Sequence, residues 1–141
     1  MNAFIETGDV MKTTCAVTLA ALAVAFPATA AADNYRTQSG RVICAVTPDS
    51  SLESIGPNVV VCQGGFLQAP EYDNSVVTTG DGDFHWSQGN LAIDNPTTDM
   101  TYGQTYHRGN WTVYHDVTGT RFTNNVTGHG IFVSIEDVYA F

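Results

Sequence analysis

The sequence predicts an all-β fold. The expected architecture is a small antiparallel sandwich or partly open barrel of roughly six to eight short strands, held by one disulfide and preceded by a helical signal peptide. Three observations carry this reading. No stretch after residue 32 keeps a 3.6-residue apolar period, whereas β-branched and aromatic residues recur between turn formers. Glycine is frequent, 13 in 141 residues, and punctuates the apolar runs. Two of the three cysteines, Cys44 and Cys62, fall inside such runs.

Taken in order, Arg41 to Val46 reads as the first strand, ended by Thr47-Pro48-Asp49. Asn58 to Cys62 reads as the second, after Gly56-Pro57. Ser50 to Ile55 between them is a loop or a single helical turn. Gly64 to Gly82 carries Pro70, Glu71, Asp73, Gly80 and Asp81 and is the least regular part, with Val76-Val77 as a short strand. Phe84-His85-Trp86 is a further strand, followed by Gly89 to Ile93. Asp94 to Asp99 is a turn cluster rich in Asp, Asn, Pro and Thr. Met100 to Tyr106 and Asn110 to His115 form a hairpin across Arg108-Gly109. Asp116 to Gly119 turns the chain into Thr120 to Thr123, and Asn124 to Gly130 turns it into Ile131 to Ile135. Val138 to Phe141 closes the sequence, with Phe141 expected in the core.

The first 32 residues are read as a leader. Lys12 precedes an uncharged run from Thr13 to Ala32 whose apolar heart, Ala16 to Phe26, is short of the roughly 20 residues a spanning helix needs. Pro27 and the small residues Ala28, Ala30 and Ala32 fit cleavage after Ala32, or alternatively after Ala30. Residues 1–10 carry Glu6 and Asp9 where a leader should be basic, so they read as an extension upstream of a true start at Met11. The single β-rich domain is then residues 33–141, and the expected location is the cell envelope or the extracellular space. Cys44 and Cys62 alone remain there, an even count that reads as one disulfide in an oxidising setting.

The chain holds 14 acidic against 5 basic side chains, a net charge of −9. Residues 33–141 contain four arginines and no lysine. Nucleic-acid binding needs a basic footprint, so that class is excluded.

Several stretches resemble a family of small exported actinobacterial, mycobacterial-type proteins of unknown function. Tyr35-Arg36-Thr37-Gln38-Ser39-Gly40-Arg41-Val42-Ile43-Cys44 is similar to that family's opening, in which an aromatic residue precedes Ser-Pro-Ser-Gly-Asn-Ile and a cysteine. Gln38 replaces the proline and Arg41 the asparagine. Thr101-Tyr102-Gly103-Gln104 and the block Thr127-Gly128-His129-Gly130 resemble later family segments. The resemblance implies a compartment and a disulfide between Cys44 and Cys62, but no activity. The family often carries a second cysteine pair, which falls here on Val113 and Phe122. The resemblance therefore implies that these two lie directly opposite each other and face inward.

The candidate chemistry is sparse. His129, between two glycines, is the one histidine in a distinctive turn. It reads as a turn-capping residue or as a general base acting with Asp83 in a small secreted hydrolase. No Gly-x-Ser-x-Gly elbow accompanies it. His107 and His115 could meet across a hairpin, but no metal-ligand spacing is present, and no metal or cofactor is expected. Glu71, Asp73, Asp81 and Asp83 form an acidic stretch, read as solvated loop or as a weak calcium site. Trp111 shares strand parity with Val113 and is expected to face the core. Tyr102, Tyr106 and Tyr114 are the candidate surface aromatics. Such rings stack on sugars or anchor proteins, and packing at sheet edges is their competing role. The functional expectation is a non-enzymatic extracellular binding module whose partner is a protein or an envelope glycan.

Overall fold

Alternation fixes which residues face inward, and the backbone follows it. The computed structural model describes residues 33–49, 55–91 and 96–141. The leader and its start-site extension, most of the 50–55 loop, and residues 92–95 lie outside the described residues. Eleven strands form, and no helix is present among the described residues. They are β1 (Asp33–Arg36), β2 (Val42–Val46), β3 (Val59–Gly64), β4 (Ser75–Thr79), β5 (Phe84–Ser87), β6 (Thr97–Asp99), β7 (Gln104–Arg108), β8 (Trp111–Asp116), β9 (Gly119–Asn124), β10 (Gly130–Val133) and β11 (Val138–Ala140).

The strands build two sheets, so the fold is a sandwich and not a closed barrel. One sheet has the order β5-β4-β3-β2-β1-β6 and the other β11-β10-β9-β8-β7. Every neighbouring pair is antiparallel except β1 with β6, which is parallel. Each sheet is essentially a meander, drawn from one half of the domain.

The core lies between the sheets. Tyr35, Val42, Cys44, Val46, Val60, Cys62 and Val76 contribute from the first sheet, and Trp111, Val113, Phe122, Ile131, Val133 and Val138 from the second. Phe66 and Met100 add to it from connecting segments. Cys44 and Cys62 are directly opposite on β2 and β3 and are joined in a disulfide, with Cα atoms 4.0 Å apart. Val113 and Phe122 are directly opposite on β8 and β9, and both are fully buried. Trp111 is fully buried as well, as its parity requires.

The central strands β2 and β3 are apolar on both faces. Ala45, Val59 and Val61 point away from the disulfide yet are also buried, and Val59 and Val61 line a groove of about 440 Å³ bordered by Ile55 and Leu91. This accounts for their uninterrupted Val/Ile/Ala runs, which doubly covered strands show and half-solvated ones do not.

Four expectations are corrected. β1 is a strand although Asp, Asn and Arg give it no apolar alternation. Its order comes from pairing on both sides, with β2 and with β6. Thr97–Asp99 is likewise a strand inside the expected turn cluster, recruited by the edge of β1. The expected Met100–Tyr106 strand is displaced to Gln104–Arg108. Met100 is a buried plug, and residues 101–103 turn with Gly103 at φ +79°. Phe141 is not in the core: its backbone pairs with Gly130, and its half-buried ring lies under the Arg121 guanidinium.

Candidate functional site

The glycine-flanked histidine sits in the connection between β9 and β10, and the neighbours of that connection decide its role. Asn124 is fully buried. Its side-chain oxygen accepts the backbone N–H of Val126 at 3.0 Å and of Thr127 at 3.2 Å, while its Nδ2 donates to Asn58 Oδ1 at 2.8 Å. Thr127 Oγ1 donates to the carbonyl of Gly80, in the β4–β5 turn of the other sheet. Gly128 takes φ +79°, a left-handed value that suits glycine. The His129 ring then lies against Gly82, where a Cβ would stand 3.0 Å from it, and Nδ1 is 3.3 Å from the Phe141 carbonyl oxygen. At Gly80 a Cβ would collide with the Asn58 amide. The Thr-Gly-His-Gly block is therefore a clasp that fastens one sheet's turn to the other sheet.

Asp83 does not join His129. Its backbone closes the β4–β5 turn, with Thr79 N donating to Asp83 O at 3.0 Å and Asp83 N donating to Thr79 Oγ1 at 3.1 Å. No ion pair links the two side chains among the described residues. The geometry assembles no side-chain acid–base dyad at His129, since the imidazole is hydrogen-bonded to the main-chain oxygen of Phe141 and to no side-chain carboxylate or hydroxyl among the described residues.

His115 is the histidine with the strongest environment. It is buried on the inner face of β8. The Gln38 backbone N–H donates to Nε2 at 3.3 Å, so Nδ1 carries the proton and donates to Thr120 Oγ1 at 2.9 Å. Burial pushes its pKa below the ordinary histidine value, against the opposing pull of the neighbouring Asp116. The Tyr102 ring packs on the imidazole at a centroid distance of 4.9 Å, tilted by 31°, and the Tyr102 N–H donates to Gln38 Oε1 at 2.8 Å. Both imidazole nitrogens are thus engaged in joining the β1–β2 turn to the second sheet. His107 pairs across from Thr112, not from His115, so the two histidines do not meet. The four acids of the 71–83 stretch split between the two ends of β4. No group of three metal-ligating side chains exists among the described residues.

The three tyrosines do not share a surface. Tyr106 lies opposite Val113 and turns inward, against the core residue Tyr35 at 5.8 Å, and its hydroxyl accepts the N–H of Thr101. Tyr102 caps His115 and is 39% exposed. Tyr114, 41% exposed, faces the opposite side of β8, away from the core. Register gives it a different company. Tyr114 is directly opposite Arg121, Arg121 is directly opposite Phe132, and Phe132 is directly opposite Tyr139. These four residues form one cross-strand row over β8, β9, β10 and β11. Phe132 and Tyr139 stack at 5.1 Å with a 22° interplanar angle, and the Arg121 guanidinium lies 3.5 Å from the Phe141 ring centroid. Tyr139 is 48% exposed.

Arg121, Phe132, Tyr139 and Phe141 are the site residues that sequence reasoning misses. The signal for them is present: an inward Val113–Phe122 pair forces Tyr114 and Arg121 together on the outer face. Compared with known proteins, the chain matches no family model, no curated protein and no solved structure.

Proposed function

We propose that this protein is an exported, non-enzymatic binding module that engages an extracellular protein or envelope glycan through the outer face of its five-stranded sheet. The observation that carries this reading is the cross-strand row Tyr114–Arg121–Phe132–Tyr139. Aromatic and arginine side chains left at a surface in one contiguous row are the residue types that anchor partners. The hydrolase alternative gains no support, since no hydrogen bond or ion pair joins His129 to Asp83 among the described residues. Export is supported by the disulfide, which persists in oxidising compartments, and by the apolar leader expected at residues 11–32. The resemblance of the Thr127–Gly130 block suggests an actinobacterial envelope as the setting.

The test compares the wild-type protein with the Tyr114→Ala/Tyr139→Ala double variant for retention on isolated cell envelopes and on extracellular proteins of the source organism. The variant is expected to lose retention while keeping its thermal transition. Equal retention of the two proteins would refute the reading.

A further inference from the structure

We infer that the row is a platform for a carbohydrate chain that carries negative charge, with Arg121 as the anion contact between two aromatic anchors. This deepens the binding reading above and rests on it.

The shape of the row comes first. Its two half-exposed rings, Tyr114 and Tyr139, stand at its ends with Arg121 between them. Four adjacent strands separated by about 4.8 Å make the row about 14 Å long and one side chain wide. Threonines flank it on one side: Thr105 continues the row on β7, and Thr112 and Thr123 form the neighbouring row, while Asp116 and Gly119 border the other side. A stable protein interface needs about 800 Å² per partner around an apolar centre. A strip this narrow, bordered by hydroxyls on one side, does not supply that. The large exposed aliphatics of the described residues, Leu67, Val117 and Val126, lie on loops outside the row. A narrow file of stacking groups with a hydroxyl border suits a linear chain of sugar rings, whose C–H faces pack on aromatics and whose hydroxyls need partners.

The row is also held in place before any ligand arrives. At Gly119 a Cβ would stand 2.5 Å from Phe132 Cζ, and at Gly130 one would stand 2.7 Å from Phe141 Cζ. These two glycines let the supporting rings settle low on the sheet. Phe132 then backs Tyr139, and Phe141 backs the Arg121 guanidinium. Groups fixed in advance lose little freedom on binding.

Charge selects the ligand class. Arg36 and Arg108 are paired with Asp99 and Asp33. Arg121 has no carboxylate partner among the described residues, in a chain of net charge −9. Asp116, the one acid on β8, accepts the N–H of its own neighbour Thr118 at 2.7 Å. A guanidinium stacked on a ring keeps its N–H edge open, and that fork matches a carboxylate or a phosphate.

The experiment titrates the full chain, exported into an oxidising compartment and purified from it, by calorimetry at low salt. The probes are tetragalacturonate, its fully methyl-esterified neutral form, and a phosphomannan oligosaccharide. The carboxylate and phosphate arms distinguish the two sources of the same charge. We expect at least one anionic chain to bind, and the neutral ester to bind at least tenfold more weakly than tetragalacturonate if that chain is the ligand. Arg121→Gln should weaken the anionic chain at least tenfold, and Tyr114→Ala and Tyr139→Ala at least fivefold each, with thermal transitions unchanged. If the ester binds as well as the acid and Arg121→Gln has no effect, the charge inference is overturned while the binding face stands. If no sugar binds but the tyrosine variants abolish association with an extracellular protein, the carbohydrate inference is overturned and the face again stands. If a sugar binds indifferently to all three substitutions, both readings fall.

Discussion

At Asn124 and His129, two residues of one turn, the energetics run opposite to what the residue types suggest. His129 looks like chemistry, yet its ring makes a single hydrogen bond of 3.3 Å at an exposed position. Asn124 looks like a turn former, yet it is fully buried and satisfies three groups. Asn124→Ala should therefore cost about 3 kcal/mol, because it leaves two backbone donors and the Asn58 side chain without their partner. His129→Ala should cost less than about 1 kcal/mol, since a single long bond at an exposed position contributes little. Urea unfolding of the two variants checks the order, and a larger loss at His129 would refute the clasp. His115 gives a pH prediction at the same scale. Its folded-state pKa lies below its unfolded value, so the unfolded chain takes up the proton first as pH falls. The stability contributed by neutral His115 is fully present above about pH 6.5 and is lost as pH drops through and below that value. His115→Gln should flatten the dependence of stability on pH between about pH 7.5 and 5. The same slope in variant and wild type would place the titration elsewhere.

At the scale of strands, the β8–β9 hairpin shows what pattern alone can establish. Its turn, Asp116 to Gly119, is short and polar, with Asp116 Oδ1 accepting both the N–H and the hydroxyl of Thr118. Those bonds to Thr118 hold the Asp116 carboxyl below its usual pKa. With the turn fixed, alternation sets every pair, so the inward Trp111 is legible from its parity with Val113, while the opposed and inward Val113 and Phe122 are what the family resemblance implies. Phe122→Ala should cost about 3–5 kcal/mol, as for a large ring removed from a closed core. On the outer face, Gly119→Ala should cost about 1–3 kcal/mol and disturb the near-ultraviolet signal of the aromatic row, because the new methyl meets Phe132. An unchanged spectrum would mean that the ring does not depend on the glycine. β1 and β6 were illegible for a physical reason. Their mutual pairing is parallel and joins residues about sixty positions apart, so β6 has no local turn, and β1, although it hairpins onto β2, has no apolar alternation of its own. The site was half legible. Tyr114 stands out by residue type, but Tyr106 parts from it by strand parity and Tyr102 by lying in the turn before β7. Arg121 is not legible, because an isolated arginine carries no signal until its cross-strand neighbours are known.

At the scale of the molecule, the disulfide is the one covalent tie in a domain small enough for it to matter. Cys44 and Cys62 are 18 residues apart, and closing a loop of that length is worth about 3 kcal/mol. The Cys44→Ala/Cys62→Ala double variant should lose at least that much in urea unfolding, because removing two fully buried sulfurs also loosens the core. A loss below about 1 kcal/mol would show that the reduced chain holds the β2–β3 register by side-chain packing alone.

The two meanders also impose an order in time. All backbone partners of the two cysteines lie on β1 to β4, and none comes from the second sheet. A chain that emerges from its N-terminal end presents both thiols, in register on a nascent hairpin, while β7 to β11 are still unmade. Oxidation can be complete before the hydrophobic faces of the second sheet appear. The second meander then condenses onto a template that is already locked, and docking of the two halves becomes the late step of folding.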